Sequence, residues 1–223
     1  MHSTRLMFGR FKRSCPICGY EGYFIAAGNQ PRFDACCPSC RSLERHREFA
    51  IWFKKNQTEF AGKRVLHFAP EPPIRALVRP VAATYRGADF NPGAADIVLN
   101  IEKIDLPDAS VDTVICNHVL EHVDHRLALS ELFRITVPGG LVILSFPIVE
   151  GWNETYEAGR MSSRAERELH YGQWDHIKYF GRDVRDHIKA AGFVLTEHTA
   201  VEPDVSLYSL PRGGKLFLAR KPG

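Results

Sequence analysis

The sequence predicts an α/β protein built on a doubly wound, mainly parallel sheet, with a small cysteine-bearing module in front of it. Three observations carry that expectation. From Lys63 onward, short apolar strand patterns alternate with helical ones, as they do when helices cross between parallel strands. Ahead of that alternation stand two Cys-x-x-Cys pairs, Cys15/Cys18 and Cys37/Cys40. The apolar run 111–116 passes into Asn117-His118-Val119-Leu120-Glu121-His122-Val123, then a helical stretch, then Pro138-Gly139-Gly140 as a turn opening another strand.

The chain has 223 residues, enough for one α/β domain with an appendage. With 44% hydrophobic and 25% charged residues it reads as a soluble globular protein. No apolar run approaches the ~18–20 residues of a membrane span. Residues 1–13 are basic and lack the apolar centre of a signal peptide. The expectation is a cytoplasmic protein that does not engage a membrane.

In chain order the cysteine module comes first, expected over residues 1–45. Each Cys-x-x-Cys is a tight turn aiming two sulfurs at one centre, and two such knuckles supply the four ligands that tetrahedral Zn²⁺ prefers. The competing readings are two disulfides, disfavoured in the cytoplasm, and an iron–sulfur site. Four thiolates leave no open position, so a zinc ion held by Cys15, Cys18, Cys37 and Cys40 is expected to be structural and to stabilise a module too small for a core of its own. Cys36 is taken as a packing residue and Cys116 as a buried core thiol. The charge is uneven: residues 1–55 carry +6 and the rest −3. A basic module attracts anionic partners such as RNA, although no aromatic interleaving of the nucleic-acid type is evident. The helical spacing from Leu43 to Phe60 predicts a linking helix, residues 46–62, with Ser42 as its cap and His46 at a surface or interface.

The α/β domain is expected over residues 63–223. Strands are predicted at 65–68, 83–88, 97–99, 111–116, 141–146, 193–199 and 215–220, and helices at 74–78, 127–136 and 183–191. Ligands of such sheets bind at the carboxyl ends of the strands. Asp89 ends the second strand, where a carboxylate can accept from both hydroxyls of a ribose. Asn100-Ile101 follows the third strand, and Asn117 and His118 follow the fourth. The first loop, His67-Phe68-Ala69-Pro70-Glu71-Pro72-Pro73, has no glycine, which argues against a dinucleotide pyrophosphate at that turn.

Residues 148–180 are too long for an idle connection and are rich in polar aromatics and histidines. Such loops carry function. The segments Glu154-Thr155-Tyr156-Glu157, Tyr171-Gly172-Gln173-Trp174-Asp175-His176 and Tyr179-Phe180-Gly181-Arg182-Asp183, with the cysteine pairs and the Ala-Pro-Glu first loop, resemble a bacterial group of class I S-adenosylmethionine-dependent methyltransferases of the type 11-like small-molecule kind. The resemblance runs from Cys15 to about Phe193. It implies a Rossmann-like sheet of seven strands, the last antiparallel, and S-adenosylmethionine as cofactor. It also implies that Asn100 and Ile101 meet the adenine edge and that Asn117 and His118 lie near the methionine and sulfonium end. The family usually has an aspartate where Asn100 stands and a glycine-rich first loop; here Glu71 would serve the cofactor's ammonium group, with the Ala69 backbone close to the ligand and His67 and Pro70 beside it.

Methyl transfer to a protonated oxygen or nitrogen needs a base. His176 is the expected one, its unperturbed pKa of ~6.5 suiting the task, with Asp175 beside it and Tyr156 and Gln173 positioning the acceptor. His170, His118 and His122 are rivals, His122 reading also as a helix-packing residue and His170 as a surface one. Arg160 or Arg167 would meet an anionic group. The expected acceptor is a small molecule or saccharide. The alternatives are an RNA methyltransferase docking RNA through its basic ribbon, and a non-catalytic binding protein with this fold. For the ribbon, the candidate roles are closing the cleft, building a homodimer or recognising a partner.

Overall fold

The computed structural model describes residues 8–28, 31–157 and 163–223. In chain order its strands are β1 (Phe8–Ser14), β2 (Glu21–Ala27), β3 (Arg32–Cys36), β4 (Arg64–Phe68), β5 (Thr84–Asp89), β6 (Ile97–Val98), β7 (Val111–Asn117), β8 (Thr136–Ser145), β9 (Val194–Thr199) and β10 (Lys215–Arg220). Its helices are α1 (Glu44–Lys55), α2 (Pro72–Val78), α3 (His125–Ile135), α4 (Arg164–Tyr171), α5 (Val184–Ala190) and α6 (Asp204–Tyr208). The chain clusters into two compact units. One comprises Met1–Ala61, Glu71–Val81 and His198–Leu216; the other comprises Gly62–Pro70, Ala82–Glu197 and Phe217–Gly223. The sequence divides the chain linearly, whereas the structure groups α2 and the stretch carrying α6 with the cysteine module.

In the first unit β1, β2 and β3 form an antiparallel sheet. Phe24, Cys15 and Cys37 make its small core. The unit turns on Arg47, a fully buried side chain of α1. Its guanidinium donates to the carbonyls of Ala35, Ser42, Tyr208 and Ser209 at 2.7–3.0 Å and lies 4.7 Å from the Phe24 ring centroid. A planar five-donor fork is the one cationic group that can satisfy so many carbonyls at once.

Two local expectations are corrected here. The helix ends at Lys55, and a 3-10 turn over Gln57–Glu59 returns Phe60 onto Phe53, 5.1 Å between centroids, so the apolar spacing to Phe60 reports a fold-back. Ser42 does not cap α1; Leu43 holds that position, and Ser42 is buried with its Oγ 3.4 Å from Cys15 Sγ and 3.2 Å from Cys40 Sγ.

The seven-stranded sheet has the order β6-β5-β4-β7-β8-β10-β9. β4 through β8 pair in parallel, and β10 runs antiparallel to β8. The order reverses at β4, the topological switch point of an open sheet. The central strands are buried on both faces, β7 and β8 most completely, which is why their sequences read as continuous apolar runs rather than alternating ones. Cys116 lies at 0% exposure in that core, and burial pushes its thiol pKa up.

α3 starts two residues earlier than its apolar pattern, because the Asp124 carboxylate accepts from the Arg126 and Leu127 amides. The Pro138-Gly139-Gly140 turn is also revised. It lies within β8, where the register against β7 slips between the Val111–Thr136 and Thr113–Leu141 pairs, so the segment is a bulge in a longer strand.

Candidate functional site

Among the described residues two groups of side chains could hold a metal ion. The first is the four cysteines that the spacing singles out. The first knuckle closes through Gly19 N–H to Cys15 O at 2.9 Å, the second through Arg41 N–H to Cys37 O at 2.9 Å. Gly19 and Arg41 occupy equivalent left-handed positions, φ 75° and 61°. Cys15 and Cys40 sulfurs stand 3.6 Å apart, Cys18 and Cys37 sulfurs 3.7 Å. A tetrahedron of sulfurs ~2.3 Å from a zinc ion has edges of about 3.8 Å, so the donors fit that ion. Cys36 stays outside the group; it is the last residue of β3, with its Sγ turned to the Cys37 carbonyl at 3.6 Å.

The carboxyl edge of the sheet gathers most of the residues expected around a cofactor. Phe68 pairs with Ala88 on one side and Cys116 on the other. The residues that follow, Ala69, Asp89 and Asn117, therefore leave the sheet side by side. Ala69 has φ 45° and donates its N–H to Ala88 O at 2.8 Å. It adopts the left-handed backbone that a glycine-rich loop would supply at lower cost. The close approach is made on the neighbouring strand instead: a side chain at Gly87 would meet the Pro70 ring at 2.9 Å. Asp89 accepts the Asn91 N–H on Oδ1 at 2.8 Å, and among the described residues Oδ2 has no hydrogen bond. Asn100 is exposed and folds its Oδ1 onto the Glu102 amide at 2.9 Å, while Ile101 is buried in the core. Ser145 Oγ donates to Asn117 Oδ1 at 2.9 Å, which leaves the amide nitrogen as a donor. His118 has φ 52° and donates its N–H to Ser145 O at 2.7 Å. His67 is fully buried within β4, its Nδ1 2.8 Å from the Tyr85 hydroxyl.

Glu71 belongs to the first unit. His46 Nδ1 accepts the Leu43 N–H, so Nε2 carries the proton and donates to Glu71 Oε1 at 2.6 Å. Arg45 Nε donates to the same oxygen at 2.6 Å. Burial alone would raise the Glu71 pKa, but His46 and Arg45 outweigh it and bring it down to about 2. His46 is thus a buried partner of Glu71 rather than a surface residue.

On the acceptor side, the loop ends are pinned by a parallel bridge between Ile148 and Phe180, and Tyr156 pairs with Tyr179. α4 rises between them on a Ser163–Glu166 capping box. The expected trio separates. Tyr156 hydrogen-bonds His170 at 2.7 Å and Gln173 holds Asp175 at 2.9 Å. His176 is buried at 7% exposure and packs edge-on to His122, 4.7 Å between centroids. Burial lowers the His176 pKa against the opposing pull of the Glu121 carboxylate. His122 lies in a 3-10 turn, Leu120–His122, with Nδ1 3.0 Å from Asp175 O, so it faces the loop instead of packing a helix. Arg167 lies on α4, whereas Arg160 falls outside the described residues. Glu121 is a further residue of this cluster that the sequence alone does not assign. Its signal was the i, i+3, i+4 spacing of His118, Glu121 and His122, which a helical turn brings to one side.

Residues 62–144 match the family model described as a methyltransferase domain. A stretch of 73 residues is 40% identical to a protein of Mycolicibacterium smegmatis named as an S-adenosylmethionine-dependent methyltransferase; it covers 32% of this chain, and the chain spans only 26% of that relative's length. The fold is similar to a chain of the complex between the Haloferax volcanii Trm112 methyltransferase activator and a methyltransferase, with TM-score 0.59, 16% identity, and 80% of this chain and 91% of that one covered. An S-adenosylmethionine-dependent methyltransferase of Mesorhizobium loti aligns with TM-score 0.57 at 15% identity, over 78% and 98% of the two chains. A [4+2]-cyclase, SpnF, aligns with TM-score 0.56 at 14% identity, over 84% and 88%. The sheet order and the antiparallel β10 give the α/β part of this chain the fold of these solved structures, and residues 62–144 within it are similar to a methyltransferase domain. No helix of the described residues is long and apolar enough to cross a membrane.

Proposed function

We propose that the protein transfers a methyl group from S-adenosylmethionine to an oxygen, or a nitrogen, of a small-molecule or saccharide acceptor. The observation that carries this is the row Ala69, Asp89 and Asn117, placed on one sheet edge by the pairing of Phe68 with Ala88 and Cys116 at the switch point where such sheets bind ligands. The cofactor supplies a methyl group on a positively charged sulfur. Asp89 accepts ribose hydroxyls through Oδ2, Asn100 and the Ile101 backbone meet the adenine edge, and the Asn117 amide and His118 lie toward the methionine end. His67, Ala69 and Pro70 form the wall. Left-handed backbone at two non-glycine residues of this edge, Ala69 and His118, is strain of the kind that collects at ligand sites.

Tyr156, Gln173 and Arg167 hold the acceptor, and alignment is the main catalytic work. As the acceptor lone pair bonds to the methyl carbon, the carbon–sulfur bond breaks with its electron pair left on sulfur, and the acceptor's proton passes to the His176 imidazole. The four thiolates hold a structural zinc ion with no open position.

Calorimetric titration of zinc-loaded protein with S-adenosylmethionine and with its demethylated product tests the reading. Micromolar binding weakened at least tenfold by Asp89→Ala is the expected result. Absence of binding to the intact protein would refute it; the cyclase with this fold shows that architecture does not by itself fix the reaction.

A second reading is favoured by a feature the sequence did not show. Phe11, Phe33 and Tyr23 of the ribbon are 67%, 66% and 45% exposed on strands that also bear Arg10, Lys12 and Arg32, and the Arg13 guanidinium lies 5.5 Å from the Phe11 ring centroid. Exposed aromatics among cations suit single-stranded RNA. RNA affinity that falls steeply with salt would support RNA as acceptor; weak, salt-insensitive binding would remove it.

A further inference from the structure

In the second metal-type group, Glu121, His122 and His176, only His176 has a role above. One ligand atom of each lies within 4.8 Å of those of the others. Glu121 is 0% exposed, and neither carboxylate oxygen has a hydrogen bond. His118 Nδ1 comes within 3.2 Å of Oε1 without completing one. The His176 Nδ1 is likewise buried and without a partner. Buried polar atoms are nearly always hydrogen-bonded, so three such atoms on two residues of one cluster mark a place where something else completes them.

The orientation of His122 supplies an independent argument. Its Nδ1 lies 3.0 Å from the Asp175 carbonyl and 3.5 Å from Asp175 Oδ2. A carbonyl can only accept, so Nδ1 carries the proton and Nε2 presents its lone pair. Metal-ligating imidazoles are typically fixed in this way by a carbonyl or carboxylate behind them. The backbone holds the loop in place: Ile177 N–H donates to Glu121 O at 3.0 Å, tying the segment that carries His176 to the turn that carries Glu121 and His122.

We propose that Glu121, His122 and His176 bind one divalent first-row transition cation. Two imidazoles and a carboxylate suit manganese, iron, cobalt or zinc; an all-oxygen set would be expected for calcium or magnesium. Three protein ligands leave coordination positions open, unlike the closed thiolate site. The turn follows Asn117 and His118 directly, so an acceptor hydroxyl on an open position would sit beside the cofactor edge. It would lose its proton more readily there, and His176 would act through the ion rather than as a free base. That role rests on the methyl-transfer reading; the binding does not.

Protein carrying one equivalent of zinc, after an oxygen–nitrogen chelator has removed any second one, is titrated with Mn²⁺, following free Mn²⁺ by its paramagnetic resonance signal, and separately with Co²⁺, following the visible spectrum. One equivalent beyond the ribbon zinc is expected, with micromolar affinity and with cobalt bands free of thiolate charge transfer. Glu121→Gln, His122→Asn and His176→Asn should each weaken it at least tenfold and retain the ribbon zinc. Three variants on two segments keep the test decisive if one of them misfolds. No equivalent beyond the ribbon zinc, or a further one indifferent to all three substitutions, would overturn the proposal. Binding of S-adenosylmethionine is measured on the same samples, so a metal site without cofactor binding would sink the methyl-transfer reading and leave the site standing.

Discussion

The two metal-type groups differ in softness, closure and support. The thiolate group takes four like donors from two knuckles, each closed by its own backbone hydrogen bond, with Ser42 Oγ near two of the sulfurs. The imidazole–carboxylate group takes three donors, two adjacent in one turn and the third from a loop more than fifty residues later. A closed set of soft ligands serves a fold; an open set of harder ligands serves a reaction. The contrast predicts which group, once loaded, surrenders its ion first and what is lost with it.

The largest effect is expected at the thiolates. A structural zinc contributes an apparent ~10–16 kcal/mol in small domains, so Cys37→Ser should unfold the ribbon sheet, seen as loss of its amide dispersion in NMR spectra. An oxygen–nitrogen chelator should strip the imidazole–carboxylate ion while the protein stays folded, and the zinc should leave only after a thiol reagent is added. Metal counts taken at each step check the order; simultaneous release of both ions would break the distinction.

Arg47 ties the second knuckle to its surroundings, because the Ser42 carbonyl it holds at 2.7 Å also accepts the Cys37 N–H at 2.9 Å. Arg47→Met fills similar volume yet removes the guanidinium donor from four carbonyls, of which Ser42 O keeps the Cys37 N–H. A loss of about 3–5 kcal/mol is expected, read as a shift in the urea midpoint of zinc-loaded protein. A shift under ~1 kcal/mol would mean that the zinc alone organises the knuckle.

How much of this was legible depended on how local each feature is. The cysteine group could be named because its ligands come in pairs at a fixed spacing, and the sheet because its alternation repeats. Asp89 and Asn117 could be placed because each ends an apolar run. Arg47 and Glu121 could not. An arginine in a helical pattern reads as solvated surface, and only the tertiary return of Tyr208 and Ser209 makes it a buried hub. Glu121 has a local signal in its spacing from His118 and His122, but the third donor, His176, reaches it only through the fold. The boundary errors at Ser42, Phe60 and Pro138-Gly139-Gly140 share that origin: in each, packing or pairing with a distant segment overrode a local preference.

Glu48 is another buried carboxylate with an unpartnered oxygen. It is 4% exposed, with no hydrogen bond on Oε1. Burial, opposed only by the charge of Lys215, raises its pKa from 4.5 to about 7. Between those values the folded state holds the proton more tightly than the unfolded chain, so stability is full below pH 4.5 and falls as pH rises through 7. Up to about 3 kcal/mol is at stake. Glu48→Gln should flatten that part of the stability–pH curve measured by urea titration; an unchanged slope would assign it to other groups.

The smallest effect is expected at Cys36, and it tests how ligands are chosen. Cys36 and Cys37 are neighbours, and either thiol is chemically able to bind zinc. The backbone decides between them. Pairing of Ile25 with Cys36 keeps Cys36 in β3, and successive strand side chains point to opposite faces, so only Cys37 enters the knuckle with Cys40. Cys36→Ala removes a thiol that is 2% exposed and packs as a small apolar group. It should cost about 1 kcal/mol and leave one equivalent of tightly held zinc. Loss of the zinc would show that the register can slip to recruit Cys36, and the ligand set would then have to be redrawn as an exchange between two adjacent thiols.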